Sequence, residues 1–272
     1  MLGFTTKSFA SSLERGTETL EALLEWAVDC GFGWIEIRDG GAKLDDGDLR
    51  KLDARASESN IAVQYAWDGS NLLGESDEAL FAKGLQKASQ FRTARYARIT
   101  IAGEAFKTDR MKRGYSRAEF QHISRRITEN ARLARSFGIT PVYENSHEPL
   151  SGDGESFFGI AELLDGTETM RLTFDPANFL HLKPPLQAPN WSALSEFYSR
   201  YSSRIPYVHL KSAGVDGFLP TLEIQDEQER ACIQYMWREK KLLCIELPEC
   251  ADAETGKKNI LAAQHKVLHM KD

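Results

Sequence analysis

The sequence predicts an α/β protein with a (β/α)8 barrel fold. Short apolar runs alternate with segments of helical periodicity along all 272 residues, no low-complexity linker interrupts them, and a hydrophobic fraction of 42% suffices for one large core. An open, doubly wound sheet is less favoured, because no Gly-x-Gly-x-x-Gly or Walker sequence follows the first run. We expect residues 1–272 to form a single barrel domain.

Eight apolar runs have the length and composition of strands that are buried on both faces of a parallel sheet. Each run is separated from the next by enough residues for a helix, as parallel neighbours require. The predicted strands are 2–5, 34–38, 62–66, 96–101, 140–144, 171–175, 206–210 and 242–246.

Helical periodicity fills the segments between these runs. In the first segment, apolar residues recur at helical spacing and Gly31 follows as a stop signal. The helix before the fifth strand begins with Ser116 and Glu119 at the spacing of a capping box. The longest connections, 103–114 and 180–189, are expected to rise over the mouth of the barrel. The apolar stripe of the first helix consists of Leu20, Leu23, Leu24, Ala27 and Val28.

Charge and cysteine content narrow the class of partner. The net charge is −6 and no run of Lys and Arg stands out, so a surface that neutralises nucleic-acid phosphates is not expected. The N-terminus lacks the basic and apolar regions of a secretory signal, and no apolar run is long enough to cross a bilayer. Four cysteines without Cys-x-x-Cys spacing indicate reduced thiols. We expect a cytoplasmic protein that binds a small molecule, without a membrane or nucleic-acid partner.

Four of the predicted strands end in a residue that can bind a hard metal ion. Glu144, Asp175, His209 and Glu246 end the fifth to eighth strands. Because active sites of (β/α)8 barrels lie at the carboxyl ends of the strands, these side chains are expected to form an arc around the mouth. Lys211 lies two residues beyond His209, on the same side of an extended strand, and is expected to place an ammonium group near the substrate.

Three buried carboxylates so close together would repel one another unless a cation balanced them. Three oxygens and one imidazole nitrogen suit Mn²⁺, Mg²⁺ or Co²⁺, and Zn²⁺ stays open. Simpler roles remain for each residue alone. Asp175 fits the cap of a short helix, His209 fits a core histidine, and either glutamate fits an ion pair with Lys211 or Arg38. The site is absent only if all these roles hold together.

Five segments of the chain resemble the xylose isomerase-like barrels, a group of sugar isomerases and epimerases that also contains endonuclease IV. They are Trp-Ile-Glu-Ile-Arg at 34–38, Tyr-Glu-Asn-Ser-His at 143–147, Phe-Asp-Pro-Ala-Asn-Phe at 174–179, Val-His-Leu-Lys at 208–211 and Ile-Glu at 245–246. The motifs are fairly specific in combination and span most of the chain.

The resemblance implies that Glu144, Asp175, His209 and Glu246 bind one divalent metal ion, with Mn²⁺ as the first choice. It also implies that the two glutamates act as acid and base on opposite faces of a ketose. A metal that chelates a carbonyl and its neighbouring hydroxyl acidifies the C–H bond between them and stabilises an enediolate. The protein is expected to be a metal-dependent sugar isomerase or epimerase. Association into a homo-oligomer is left open.

Further residues near the expected mouth are candidates for substrate contacts or catalysis. His147 is a candidate general base or a partner that orients a metal ligand, and Trp67 offers either a ring face for a sugar or core packing. Glu36 and Arg38 alternatively form a structural ion pair. The family often has a histidine three residues after the aspartate, where this chain has Asn178, and the His-x-x-Glu pattern of ketose epimerases is absent after strand seven. The predicted substrate-binding residues are Lys7, Glu36, Arg38, Trp67, Asn178 and His181.

The same residues leave other functions open. A lyase or dehydratase, such as one that cleaves 3-keto-glycosides or dehydrates inososes, would share the first proton transfer. A nuclease of the endonuclease IV type needs a histidine-rich zinc cluster, but the chain has six histidines, of which His122, His265 and His269 fall in predicted helices. A barrel that only binds a ligand is less favoured, because a potential metal ligand stands at each of the four strand ends.

Overall fold

Eight parallel strands close into a barrel in the computed structural model, with helices packed around it. The strands are β1 (Leu2–Thr5), β2 (Trp34–Arg38), β3 (Ala62–Ala66), β4 (Tyr96–Thr100), β5 (Thr140–Glu144), β6 (Leu172–Phe174), β7 (Tyr207–Leu210) and β8 (Leu242–Ile245). The structure describes residues 1–38, 44–66, 72, 78–101, 114–146, 148–180, 189–214, 217–224 and 227–270. The predicted fold class is confirmed.

The strands follow one another around the ring in chain order, and β8 closes against β1, with Leu2 opposite Leu243 and Phe4 opposite Ile245. Four strands are shorter by one or two residues than their predicted spans. Asp175 falls just outside β6, and its backbone N–H bonds to the side chain of Asn145. Pro206 precedes β7 and has no N–H to donate to a ladder.

Helices occupy the connections between the strands. The described helices are α1 (Ala10–Glu14), α2 (Leu20–Asp29), α3 (Asp46–Glu58), α4 (Glu78–Ser89), α5 (Arg117–Arg135), α6 (Ile160–Gly166), α7 (Pro176–Leu180), α8 (Trp191–Tyr201), α9 (Glu227–Arg238) and α10 (Ala253–Leu268). The Ser116 side chain caps α5 in the predicted capping box with Glu119. Gly31 follows α2 with a φ of 75°, as its predicted role as a stop requires.

The predicted stripe of α2 is wrong at one position. Leu20, Leu23, Leu24 and Ala27 are buried, but Val28 is 38% exposed. The buried face of α2 packs on the outer side of the barrel, and Val28 lies at the edge of that face. Each fully buried leucine there contributes roughly 1.5–3 kcal/mol.

An apolar floor fills the interior of the barrel below its mouth. Trp34, Val142, Tyr207 and Cys244 form a buried cluster separate from the larger core between barrel and helices. The rings of Trp34 and Tyr207 lie 5.5 Å apart although β2 and β7 are not neighbours, so they meet across the interior. A Cβ atom on Gly3 would come within 2.6 Å of the Trp34 ring, which explains a glycine in β1. The floor supports the polar side chains above it.

The loop after β5 is tied to helix α6. Two-residue strands, Tyr115–Ser116 and Phe157–Phe158, pair in an antiparallel fashion that the sequence did not predict. The Glu162 carboxylate accepts hydrogen bonds from the backbone N–H groups of Gly152 and Gly159, at 3.0 and 2.6 Å, and one from the hydroxyl of Ser151. This loop therefore has a defined path beside the mouth.

The structure describes little of the two segments that are expected to rise over the mouth. Most of these segments, 102–113 and 181–188, lie outside the described residues.

The membrane and cysteine predictions concern residues that the structure does describe. Among the described helices, none has the length and apolar character needed to span a membrane. The four cysteines are free thiols, three of them buried.

Candidate metal centre

The four predicted metal ligands come together at the carboxyl ends of β5 to β8. Glu144, Asp175, His209 and Glu246 each offer one ligand atom, and these atoms all lie within 4.8 Å of one another. All four residues are buried. Each follows directly on, or lies in, a strand whose backbone is held in the barrel ladder, so the closure of the ring places them side by side.

The imidazole of His209 lies at the centre of the cluster. Its Nδ1 atom is 2.7 Å from Glu246 Oε2 and 3.0 Å from Glu144 Oε1, and its Nε2 atom is 3.2 Å from Glu36 Oε2. Burial alone would lower the pKa of His209, but the carboxylates of Glu246, Glu36 and Glu144 raise that pKa well above its ordinary value. A cation that binds Nδ1 must displace a proton from it.

Glu246 has one oxygen tied to basic side chains and one facing the cluster. Lys7 Nζ and Arg38 Nη2 each lie 2.8 Å from Oε1. Oε2 accepts no aligned hydrogen bond, although His209 Nδ1 is 2.7 Å and Lys211 Nζ 3.5 Å away. Burial raises the pKa of Glu246, but Lys211, Lys7 and Arg38 outweigh it and hold that pKa well below its usual range. Glu246 is therefore an ionised carboxylate whose inner oxygen faces His209 Nδ1 and Lys211.

Glu144 shows the same division between its two oxygens. Arg98 Nη1 lies 2.5 Å from Oε2, while Oε1 faces His209. Burial and the neighbouring Glu246 raise the pKa of Glu144. Arg98 and His209 lower it by a larger amount, so the pKa of Glu144 lies below its usual value. The carboxylate is held by a cation on its outer side and presents one oxygen inward.

Asp175 serves two purposes at once. Its Oδ1 atom accepts a hydrogen bond of 3.1 Å from the backbone N–H of Asn178 and so caps α7. Its Oδ2 atom has no aligned hydrogen-bond donor and lies 2.6 Å from Lys211 Nζ. Burial raises the pKa of Asp175 to about 6, although Lys211 opposes the shift. The capping role considered from the sequence therefore coexists with a place in the cluster.

The donor set fits a divalent cation. Three carboxylate oxygens and one imidazole nitrogen lie within 4.8 Å of one another, and two of those buried oxygens, on Asp175 and Glu246, accept no aligned hydrogen bond. Buried acceptors without donors are costly unless a cation meets them. An oxygen-rich set with one nitrogen suits Mn²⁺, Mg²⁺ or Co²⁺. Each carboxylate contributes one inner oxygen, so room is left for ligands from a substrate.

Lys211 provides positive charge at the edge of the cluster. Its ammonium group contacts Asp175 and lies 4.3 Å from the centre of the Phe218 ring. Burial would lower the pKa of Lys211, but Asp175, Glu246 and Glu144 raise it above the ordinary value. The ammonium group is 2.6 Å from Asp175 Oδ2 and 3.5 Å from Glu246 Oε2.

Of the other predicted site residues, four are described by the structure and three are not. The side chain of Lys7 is 41% exposed at the rim, and Glu36 and Arg38 are buried in the network. Asn178 donates a 2.7 Å hydrogen bond to the Asn145 carbonyl. Three further predicted residues, Trp67, His147 and His181, lie outside the described residues.

Three residues of the network were missed by the sequence analysis. Arg98 is fully buried in β4 and contacts Glu144. The Tyr207 hydroxyl donates a 2.8 Å hydrogen bond to Glu36, and Asn145 bonds the backbone of Asp175. A signal for Arg98 existed, because an arginine in the middle of an apolar strand must find a buried partner.

A second group of potential ligands lies deeper. Glu36, His209 and Cys244 also have ligand atoms within 4.8 Å of one another. Burial raises the pKa of the Cys244 thiol to about 12, so the sulfur stays protonated at neutral pH. Burial raises the pKa of Glu36, but His209 and Arg38 outweigh it and lower that pKa to about 2, so Glu36 is ionised; its two oxygens already lie 2.8 Å from the Tyr207 hydroxyl and 2.9 Å from Arg38 Nε. This deeper group therefore does not fit a metal.

Comparisons with known proteins agree with this architecture. The family model described as xylose isomerase-like TIM barrel matches residues 24–222. No curated protein sequence matches the chain. A D-psicose 3-epimerase from Clostridium cellulolyticum H10, solved with D-tagatose, superposes with a TM-score of 0.71 at 11% identity, covering 99% of this chain and 98% of that one.

Two further solved structures share the fold. An L-ribulose 3-epimerase has a TM-score of 0.67 and 14% identity, covering 99% of this chain and 93% of that one. A 3-keto-D-glucoside 4-epimerase from E. coli, in its apo form, has a TM-score of 0.66 and 12% identity, covering 97% and 98%. At such identities the likeness establishes the fold. With the family model matching most of its length, this chain belongs to the xylose isomerase-like TIM barrel family.

Proposed function

We propose that this protein is a divalent-metal-dependent isomerase or epimerase of a ketose or keto-sugar, with Mn²⁺ as the first choice of metal. The observation that carries the proposal is the convergence of four ligand atoms from Glu144, Asp175, His209 and Glu246. Each carboxylate has a protein contact on its other oxygen that fixes its orientation. Such preorganisation is what a metal-assisted proton transfer requires.

Glu144 and Glu246 are the proposed acid and base. When bound, the divalent cation polarises a substrate carbonyl and the adjacent hydroxyl, which acidifies the C–H bond between them. The two glutamates stand at opposite ends of the arc, on β5 and β8, and can approach that carbon from opposite faces. The pKa of each lies below its usual range, so both carboxylates are ionised, which is the form that can take up a proton.

The product depends on where the proton returns. If one glutamate removes it and the other, after taking up a proton from water, donates that proton to the opposite face, the configuration at that carbon inverts and an epimer forms. If the proton returns to the neighbouring carbon, an isomer forms. Lys211 is proposed to hold a substrate oxygen with its ammonium group, because that group lies beside the inner oxygens of Asp175 and Glu246.

The structural relatives support a sugar as the substrate. Their names describe epimerases of psicose, ribulose and a keto-glucoside, all polyhydroxy-ketones or derivatives of them. A hydroxyl beside a carbonyl is the group that the proposed chemistry needs. Lys7, at the rim and partly exposed, is proposed to contact hydroxyl groups of such a substrate. Arg38, Trp67, Asn178 and His181 stay predicted substrate contacts, and His147 stays a predicted catalytic residue.

A lyase or dehydratase is the second candidate, and Lys211 favours it. Its ammonium group is buried beside the ligand oxygens. After the first proton transfer, a fixed positive charge in that place can stabilise the negative charge that develops on a leaving oxygen of the next carbon. The carbon skeleton would then lose water or an aglycone in place of recovering its proton.

One experiment tests the proposal and separates the two candidates. The Mn²⁺-loaded protein is incubated with a panel of ketoses, keto-glycosides and inososes in D₂O and followed by NMR. Deuterium that enters next to the carbonyl in an intact sugar, and stops entering when the metal is chelated, is the expected result. Loss of water or of an aglycone indicates the lyase. No exchange with any of these compounds by protein that demonstrably holds Mn²⁺ contradicts the proposed function.

A further inference from the structure

Glu36 lies beneath the candidate metal ligands with no exposed surface. Its Oε2 atom is 3.2 Å from His209 Nε2 and accepts a 2.8 Å hydrogen bond from the Tyr207 hydroxyl. Its Oε1 atom is 2.9 Å from Arg38 Nε, and Arg98 Nε lies 3.9 Å away. The carboxylate therefore contacts side chains from β4 and β7 as well as one from its own strand.

Two arginines connect Glu36 to the two glutamate ligands. Arg38 contacts Glu36 through Nε and reaches Glu246 Oε1 with Nη2 at 2.8 Å. Arg98 lies against Glu36 through Nε and reaches Glu144 Oε2 with Nη1 at 2.5 Å. Each guanidinium group thus spans from the buried carboxylate to the outer oxygen of one ligand. The planar fork of arginine makes such a span rigid.

The direct contact to His209 has its own consequence. When Nε2–H donates to Glu36, the proton is held on Nε2 and the lone pair of Nδ1 is directed at the point where the carboxylate oxygens converge. The imidazole then faces Glu144 and Glu246 with the atom that binds a cation. Glu36 therefore influences three of the four candidate ligands, one directly and two through arginines.

We propose that Glu36 is a positioning residue that sets the orientation of His209, Glu144 and Glu246 toward a divalent cation. This inference rests on the proposed function and deepens it. It assigns Glu36 to the support of the ligands, whereas the sequence left a substrate contact and a structural ion pair with Arg38 open. The groups that surround its carboxylate, which are His209, Tyr207 and the two arginines, favour the supporting role.

The test is the Glu36→Gln variant, which keeps the shape of the side chain and removes its charge. Mn²⁺ affinity is measured by titration with electron paramagnetic resonance, without any substrate. We expect the affinity to fall about 10- to 100-fold, the usual effect of losing a partner that orients a metal ligand. Glu229→Gln is the matched control, because Glu229 is also a buried carboxylate but lies on helix α9. Its Mn²⁺ affinity is expected to stay unchanged.

A second readout separates orientation from general stability. In the Zn²⁺-loaded protein the Nε2–H proton of His209 is expected as a slowly exchanging, far-downfield NMR signal, because it donates to a buried carboxylate. In Glu36→Gln this signal is expected to move upfield, since the acceptor is then neutral. In Glu229→Gln the signal is expected to keep its position, even if that variant melts at a lower temperature.

The outcomes are distinguishable from failure of the proposed function. If the wild type binds no divalent cation, the proposed function fails and this inference fails with it. If the wild type binds Mn²⁺ and folded Glu36→Gln binds it equally tightly, only the role of Glu36 is overturned. Should Glu36→Gln fail to fold, Tyr207→Phe decides, because it removes one donor from Glu36 and keeps the carboxylate. A smaller loss of affinity supports the role, and an unchanged affinity overturns it.

Discussion

Asn145 and Asp175 exchange two hydrogen bonds across the ends of β5 and β6. The Asn145 side chain donates from Nδ2 to the Asp175 carbonyl at 2.8 Å, and its Oδ1 atom accepts from the Asp175 N–H at 2.9 Å. The amide thus acts as one more rung of the ladder after the strand pairing has ended. It holds Asp175 at a fixed distance from Glu144, which precedes Asn145 in the chain.

Asn145→Ala is expected to destabilise the protein and weaken the site. The change leaves two buried backbone groups of Asp175 without partners, at a cost of about 1–3 kcal/mol for each. The free energy of unfolding is measured by urea denaturation, and Mn²⁺ affinity by titration. Asn190→Ala, which removes the cap of α8, is the control. It should lose about 1 kcal/mol of stability and no metal affinity. Equal Mn²⁺ affinity in both variants would contradict the role of Asn145.

Glu246→Gln is expected to lose metal affinity. The change removes one inner oxygen charge and leaves Lys7 and Arg38 beside a neutral group. We expect a loss greater than the about 10- to 100-fold that follows from removing a partner of a ligand. Calorimetric titration with Mn²⁺ measures it. Glu249→Gln, an exposed carboxylate three residues along, serves as the control and should bind like the wild type. Unchanged stoichiometry and affinity in Glu246→Gln would refute the ligand assignment.

Lys211→Met is expected to change metal affinity and turnover in opposite directions. The ammonium group lies 2.6 Å from Asp175 Oδ2, so it repels a cation at that point. Two unit charges about 4 Å apart interact by about 4 kcal/mol at an effective dielectric constant near 20. We expect removal of this repulsion to raise the Mn²⁺ affinity about tenfold, which requires only about 1.4 kcal/mol. Turnover is expected to fall, because a substrate oxygen loses its ammonium partner.

The comparison for this variant is Lys258→Met, which removes a charge from an exposed position on α10. Mn²⁺ affinity and deuterium exchange are measured in both proteins. Weaker Mn²⁺ binding in Lys211→Met than in Lys258→Met would show that Lys211 supports the metal and does not compete with it.

Glu162 is expected to make the stability of the protein depend on acid. Burial raises the pKa of Glu162, but hydrogen bonds from Ser151, Gly152 and Gly159 outweigh it and lower that pKa from the usual 4.5. A group with a lowered pKa in the folded state stabilises the fold above its unfolded pKa, and the stabilisation disappears as the pH falls through the folded pKa.

The stability difference between wild type and Glu162→Gln should therefore be constant near neutral pH and shrink below about pH 4.5. Urea denaturation at a series of pH values measures it. Glu155→Gln, an exposed position in the same loop, provides the control. A difference that stays constant into strong acid would mean that the carboxylate charge of Glu162 does not hold the loop.

The regular parts of the barrel could be predicted because their signals are local. Burial on both faces makes a strand continuously apolar, so runs such as 62–66 and 140–144 were located with their observed ends. The cap of α5 by Ser116 could also be predicted, because its partner Glu119 lies only three residues further along the chain. Errors occurred at edges, such as Val28 and the end of β6, where a neighbouring element decides burial and pairing.

The sequence by itself determined the class of fold and the four strand ends that bear polar residues. Only the tertiary structure decided how Arg38, Arg98, Tyr207 and Glu36 join those ends into one network. Arg98 and Glu144 are 46 residues apart in the chain, and Tyr207 and Glu36 are 171 residues apart. Contacts of that range depend on how the ring closes and on the register between strands, which no local pattern of residues encodes.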